Sequence, residues 1–558
     1  MMDTQRLIAL IIFSLSALFL WEAWQKHTAP KVVPPASVVP ARPGETPIPP
    51  APPVAGPSTA QAPAAPSGTA ALPAGEPVAV RTDVFDIEIN TAGGDIRRVT
   101  MLEHLSALDR TKPLTLMEPD PKHFYITQTG LIGDKLPNHK TPYEPEKRSY
   151  ALAAGQDAVE VRLRALDTNG YDVVKRLRFT RGSYVVDVAY DITNRTDQPI
   201  APYAYFQFLR NGDPPSQEAA QTSSFAGVTT FTGPAVYTEE TKFAKIDFKD
   251  IEKGKPPPVK KANDGWIGIV QHYFVGAWLP KEGKEREFYA EKIGDDLYRT
   301  GVKLPVGAIA PGASATVDSR VYIGPQETER LEKVAPGLKL VVDYGWLYIL
   351  AAPIFQLLKW IHNLAGNWGW AIILLTILIK LVFYPLNAKA GRSMAQMKVL
   401  TPKMEKLKEL YGDDRQKLNQ AMMELYRTEK INPLGGCLPI VVQIPVFIAL
   451  YWVLLASIEL RHAPWLGWIQ DLSAPDPYFI LPVIYAVSML VQTKINPQPA
   501  DPVQARVMLI MPIMFSVFFL FFPAGLVLYW VAQNLLSIVQ QWHINRTLAA
   551  EAKAKAHR

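Results

Sequence analysis

Two hydrophobic rhythms divide the chain. From residue 81 to 340 apolar and polar positions alternate in short runs: Val84-Phe85-Asp86-Ile87-Glu88-Ile89, Ala158–Leu163, Tyr184–Ile192 and Ala315–Ile323. A period of two marks strands with one buried face, and turn residues such as Ala92-Gly93-Gly94-Asp95 separate them. No helical pattern competes before about residue 326, so an antiparallel β-sandwich is predicted over 81–340. From 345 to 543 the alternation gives way to apolar runs, several long enough to approach the width of a bilayer.

The first of these, Leu347–Leu364, carries Gln356, Lys359, His362 and Asn363 on one helical face and apolar side chains elsewhere. Within a predicted segment 341–366 it reads as an amphipathic helix lying in the membrane interface. Five spans follow over 367–543: Trp368–Leu386, Cys437–Ser457, Tyr478–Gln492, Val507–Phe522 and Ala524–Trp542. A further apolar run, Leu7–Trp21, lies behind Arg6 with no small-residue cleavage pattern after it, which predicts an uncleaved signal anchor over 1–27. Residues 28–80 are mostly Pro, Ala, Val, Gly, Ser and Thr, the composition of an extended tether. The expected fold is therefore an α-helical polytopic membrane protein of six transmembrane helices, five of them forming its core, plus a β-sandwich domain.

Lys and Arg crowd 387–433 and the tail 544–558, whereas 458–477 has only Arg461. The positive-inside rule puts the first two in the cytoplasm, with both termini, and the β-domain outside. The stretch 387–433 reads as a helical hairpin: Met397, Leu400, Met404, Leu407 and Tyr411 make one seam, Gly412-Asp413-Asp414 breaks it, and Leu418, Met422 and Leu425 resume it. A kink or restart is expected at Thr401-Pro402. Met394, Met397, Met404, Met422 and Met423 suit an adaptable apolar surface, although two helices closing on each other would use the same residues.

Composition narrows the chemistry. A net charge of +6 over 558 residues gives no footprint for nucleic-acid binding. The single Cys437 excludes an intrachain disulfide and reads as a small buried hydrophobe. No metal, nucleotide or nucleophile motif appears, so neither cofactor nor metal is predicted and no catalytic residue is assigned.

One charge breaks the apolar pattern. Lys380 stands inside Trp368–Leu386, and Thr376, Lys380 and Tyr384 recur every fourth residue, as on one helix face. A lysine at mid-span costs about 2.5–3.5 kcal/mol, so such a residue usually faces a wet interior; its stem could instead reach the interface. In the last span Trp530, Gln533, Asn534, Ser537 and Gln541 form a polar stripe, and Gln443 adds an amide beside Pro445. Three helices presenting such groups can share a hydrated cavity, with interhelical hydrogen bonding in a dry bundle as the alternative. The spans Tyr478–Gln492 and Val507–Phe522 are also short, and short spans thin the bilayer around them.

The run Asn432-Pro433-Leu434-Gly435-Gly436-Cys437-Leu438-Pro439, followed by Gln443-Ile444-Pro445-Val446-Phe447, is similar to the third span of YidC-type insertases. So are Tyr384-Pro385-Leu386, Asp471–Tyr478 and Phe522–Trp530. The resemblance implies a membrane insertase and chaperone, not an enzyme, with a hydrophilic groove open to cytoplasm and lipid. A cation there attracts acidic segments of nascent inner-membrane proteins. Lys380 takes the place of the usual arginine, which keeps the charge and loses the guanidinium fork. Thr376 and Tyr529 match positions near the substrate path, and Trp530 replaces a different aromatic. The implied partners are the Sec translocon, the ribosome and membrane lipids, with no direct contact to nucleic acid. A secondary transporter or channel with a periplasmic sensor domain is the alternative, against which no paired repeat is visible.

Overall fold

The computed structural model describes residues 72–166, 168, 170–212, 231–412, 414–429, 438–495, 510 and 513–556. The predicted anchor, most of the tether, Cys437 and the first part of Val507–Phe522 lie outside them. The chain divides into a β-unit ending at Asp343 and a helical unit holding Tyr344–Leu455 and Glu459–Arg558.

The β-unit consists of a ten-stranded and a nine-stranded sheet. In the first, Tyr203–Asn211 lies antiparallel between His123–Ile132 and Leu297–Pro305. In the second, Val185–Asn194 lies antiparallel between Tyr171–Thr180 and Ser314–Pro325. Alternation delivers one face of each sheet to a common core. Phe206 and Phe208 of the first sheet meet Trp278 of the second, with ring centres 5.2 and 5.7 Å apart. The four runs singled out by alternation are all strands.

Two departures have local causes. The first strand, Pro77–Arg81, begins inside the stretch expected to be tether. Val78 and Val80 are fully buried there, so two apolar positions at period two override a proline-rich context. The same strand pairs in parallel with Ser149–Ala151, the exception in otherwise antiparallel sheets. A short helix, Phe248–Glu252, also interrupts the strands.

The helical unit opens with α1, Tyr348–Ala365. Ala351, Phe355, Leu358 and Ile361 are buried, while the apolar Ile349, Trp360 and Leu364 are exposed. Next come α2 (Trp368–Val382), α3 (Tyr384–Tyr411), α4 (Arg415–Thr428), α5 (Leu438–Ala456), α6 (Ile480–Ile495) and α7 (Ala524–Ala556). Residues 513–519 are helical as well.

The predicted span Trp368–Leu386 is not one helix. It breaks at Phe383, and α2 meets the start of α3 at 66°. Pro385 explains the break: it has no N–H to give the carbonyl four residues earlier, whereas at the start of a new helix none is needed. Among the described residues no single helix is long and apolar enough to cross a membrane; this bent pair is, by length and composition. By contrast, the restart expected at Thr401-Pro402 does not occur, since α3 runs through Pro402. Packing across the hairpin holds that turn in place of the lost bond. Leu400 and Met404 of α3 cluster with Met422 and Tyr426 of α4. The break near Gly412 is where it was expected, with the Asp414 carboxylate capping α4 through the N–H groups of Gln416 and Lys417. Finally, α7 continues past the predicted end at Trp542 to Ala556, carried by an alanine-rich sequence of high helix propensity.

Candidate functional site: a polar seam between helices

The N-terminal ends of α2, α6 and α7 are fixed by one compact connection. Asn367 caps α2 through the N–H groups of Gly369 and Trp370, and its amide donates to the Pro464 carbonyl. Asp476 accepts from the N–H of Tyr478 and Leu481 and from the Trp468 indole. The N–H groups of Ala524 and Gly525 bond to the carbonyls of Ala474 and Leu472. Donors that helix starts leave unpaired are thus satisfied without solvent.

Between the helices the polar residues form a chain. Lys380, half-buried in the last turn of α2, donates from Nζ to Ser537 Oγ on α7 at 2.8 Å. Ser537 in turn donates to the Gln533 carbonyl. The Asn534 amide, one residue further along α7, donates to Ser488 Oγ on α6 at 2.7 Å. Ser488 in turn donates to the Tyr485 carbonyl. Three atoms of the same region, Gln443 Nε2, Trp530 Nε1 and Gln533 Oε1, are buried with no hydrogen-bond partner among the described residues. From α5, Phe447 packs on Trp530 with ring centres 4.6 Å apart and on Tyr529 at 6.4 Å. Tyr485 and Phe519 close the aromatic side.

Most of the predicted stripe is therefore gathered on α7 against α2, α5 and α6. Three placements differ from the sequence expectation. Tyr384 does not share a face with Thr376 and Lys380, because it begins α3 beyond the bend, where it is exposed. Thr376 is fully buried and donates to the Ile372 carbonyl of its own helix. Lys380 sits not at mid-helix but near a C-terminus, where the helix dipole favours a cation. Among the described residues no carboxylate pairs with it.

The hairpin methionines split as well. Met404 and Met422 are buried against each other's helices and Met423 is exposed. The side chains of Met394 and Met397 lie outside the described residues. So the hairpin's own core takes two of the five residues expected on an adaptable surface. Ser488 was missed altogether: a lone hydroxyl in an apolar span belongs to no stripe, and only the neighbouring helix reveals its partner.

The helical unit thus keeps a lysine and several amides between apolar helices. Comparison with known proteins makes this specific. Residues 77–357 match the family described as YidC periplasmic domain, and 360–552 match 60Kd inner membrane protein. The chain is 54% identical to the membrane protein insertase YidC of Aromatoleum aromaticum over 99% of both chains. It is 50% identical to that of Methylobacillus flagellatus over the whole of both. A crystal structure titled as an active YidC insertase with its first transmembrane domain resolved matches 84% of this chain and 94% of its own, at 18% identity and a TM-score of 0.37, a likeness too loose to transfer residue roles. The chain belongs to the YidC family of membrane protein insertases. It is accordingly an inner-membrane insertase with a periplasmic β-rich domain, and not an enzyme.

Proposed function

We propose that the seam between α2, α5, α6 and α7 is where a client's polar segment is received during insertion, with Lys380 as its electrostatic lure. One observation carries this: a lysine in apolar surroundings bonded to a neutral hydroxyl at 2.8 Å, with no carboxylate partner among the described residues. A structural charge in such a place is normally paired with an opposite one. Lys380 keeps its attraction for an incoming acidic group. The unpartnered amides of Gln443 and Gln533 add groups that a client backbone can satisfy. Lysine acts here as a point charge, without the two-pronged geometry of arginine.

In this reading the chain crosses the membrane six times, with both termini and the α3–α4 hairpin in the cytoplasm. Short spans beside the seam thin the bilayer and lower the barrier to a polar segment. Clients are nascent inner-membrane proteins, received alone or beside the Sec translocon, with the ribosome at the hairpin and basic tail and lipid along the open side. The test is photocrosslinking of a nascent single-span client from positions 443 and 537. Adducts there, and none from exposed positions on α1, support the seam. Adducts confined to other faces of the bundle would place the client path elsewhere.

A further inference from the structure

The sequence Gly93-Gly94-Asp95 closes the turn between two strands of the ten-stranded sheet. Both glycines have positive φ, 83° and 61°. An added carbon at Gly93 would meet the His139 carbonyl and stand 2.7 Å from Asp95 Oδ2, and one at Gly94 would stand 3.0 Å from Leu163 Cδ1 and 3.2 Å from Lys175 Nζ. The turn leaves no room for side chains of its own beside Asp95 and Lys175. Lys175 comes from the strand Tyr171–Thr180 of the other sheet. It is buried and donates to the carbonyls of Gly94 at 2.6 Å and Gly93 at 3.1 Å. Its ammonium also lies over the rings of Tyr190 and Tyr143, 5.6 and 6.0 Å from their centres. Lys175 is the pin by which one sheet holds the other's turn.

Asp95 is placed differently. It is buried, yet among the described residues neither carboxylate oxygen has a well-formed hydrogen bond, the Thr129 N–H being its nearest backbone donor, and it makes no ion pair with Lys175. The groups around it are Lys175, Arg97 on its own strand, Tyr143, Tyr190 and Tyr205. His139 is bonded to Tyr205 beyond them. Arg97 is occupied with the carbonyls of Pro73 and Ala92, Tyr190 with Thr129, and Lys175 with the glycines. An ionised carboxylate left so would suffer a cost of desolvation that Lys175 and Arg97 only partly offset, whereas a neutral carboxylic acid would not.

We propose that Asp95 is a buried proton-binding site whose occupancy sets how firmly the two sheets hold the Gly93-Gly94 turn. With the proton bound, Lys175 stays on the glycine carbonyls. When the proton leaves to solvent, the new negative charge draws the ammonium off those carbonyls, and the turn loosens. Burial pushes the Asp95 carboxyl well above the usual carboxylate range, although Lys175 and Arg97 oppose it. A carboxyl raised on folding contributes stability that is complete below its unfolded pKa and is lost as pH rises through the folded one. The sensitive window therefore runs upward from the ordinary carboxylate range toward neutrality.

The experiment is hydrogen exchange on the full-length protein in lipid, from about pH 5 to about pH 8, corrected for the intrinsic chemical rate. Protection at Ala92–Ile96 and across Tyr171–Thr180 is expected to fall as pH rises, by at most about tenfold per pH unit for one proton. In Asp95→Asn, which mimics the neutral acid, it should stay level up to about neutrality, above which the buried Lys175, lowered to about 8 by desolvation, begins to lose its own proton. Infrared spectra give a second readout that does not depend on the variant folding. Ordinary carboxyls are ionised above about pH 6, so a protonated-carboxyl band that persists there and fades together with the protection supports the site. Parallel behaviour of wild type and Asp95→Asn, or the absence of that band, would overturn it.

Discussion

Replacing Lys380 should slow insertion in proportion to the negative charge of the client. Its Nζ is held by Ser537 Oγ and has no carboxylate partner among the described residues, so its field is available to an incoming group. Two unit charges 4 Å apart attract by about 1 kcal/mol in water and about 4 kcal/mol at the effective dielectric of a protein surface. A half-buried site lies between these limits. At 1.4 kcal/mol per factor of ten, Lys380→Ala should slow a single-span client with an acidic leading segment by roughly fivefold to several hundredfold. Lys380→Arg should insert nearly as wild type, since the charge survives. Lys380→Glu should fall below Ala, because attraction becomes repulsion. The assay is insertion into vesicles holding purified protein, read by protease protection of the translocated segment, for two clients differing only in whether that segment carries Asp and Glu or Asn and Gln. High salt should narrow the gap between them, as screening requires. If Lys380→Ala slowed both clients equally, the lysine would act by supporting the bundle and the electrostatic argument would fail.

Two further outcomes concern stability. Asn534→Ala and Ser488→Ala should each lower the unfolding free energy in detergent by about 0.6–2 kcal/mol, and by little more when combined, because both remove one 2.7 Å bond; additive losses would show that the bond is not shared. Arg286 is buried in the β-unit, where its guanidinium donates to the carbonyls of Asn263, Gly265, Pro280 and Lys281. Arg286→Met should cost about 1–3 kcal/mol or more, the scale for leaving buried carbonyls without donors, measured as a shift of the β-unit's denaturation midpoint; an unchanged midpoint would mean that those carbonyls find other donors.

What could be read from the amino-acid order depended on how local its cause was. Alternation identified the strands Phe85–Asn90, Ala158–Ala165, Val185–Asn194 and Ser314–Pro325 because a half-buried strand leaves its period in every second residue. Pro77–Arg81 escaped because proline and alanine surround its two valines, and the burial of those valines depends on strands far along the chain. The bend at Phe383 was hidden by hydrophobicity that continues through Leu386, although Pro385 carried the signal. The stripe on α7 was legible as spacing, but not its partners: that Lys380 meets Ser537, and that Asn534 meets Ser488, depends on how separate helices pack. The methionines of the hairpin illustrate the same limit, since composition does not say which of them the facing helix covers.

The glycine at position 391 gives α3 a mechanical character. A side chain there would stand 2.7 Å from Ile544 Cδ1 and 3.0 Å from Gln541 Oε1, so at this position α3 and α7 touch almost backbone to side chain. At 1.5 Å per residue, about 10 Å of helix lies between that contact and Tyr384, and about 30 Å between it and Tyr411. A bulkier residue at position 391 would press on Ile544 and Gln541 of α7, so its effect should reach the nearby bend that follows Lys380 before the distant turn of the hairpin.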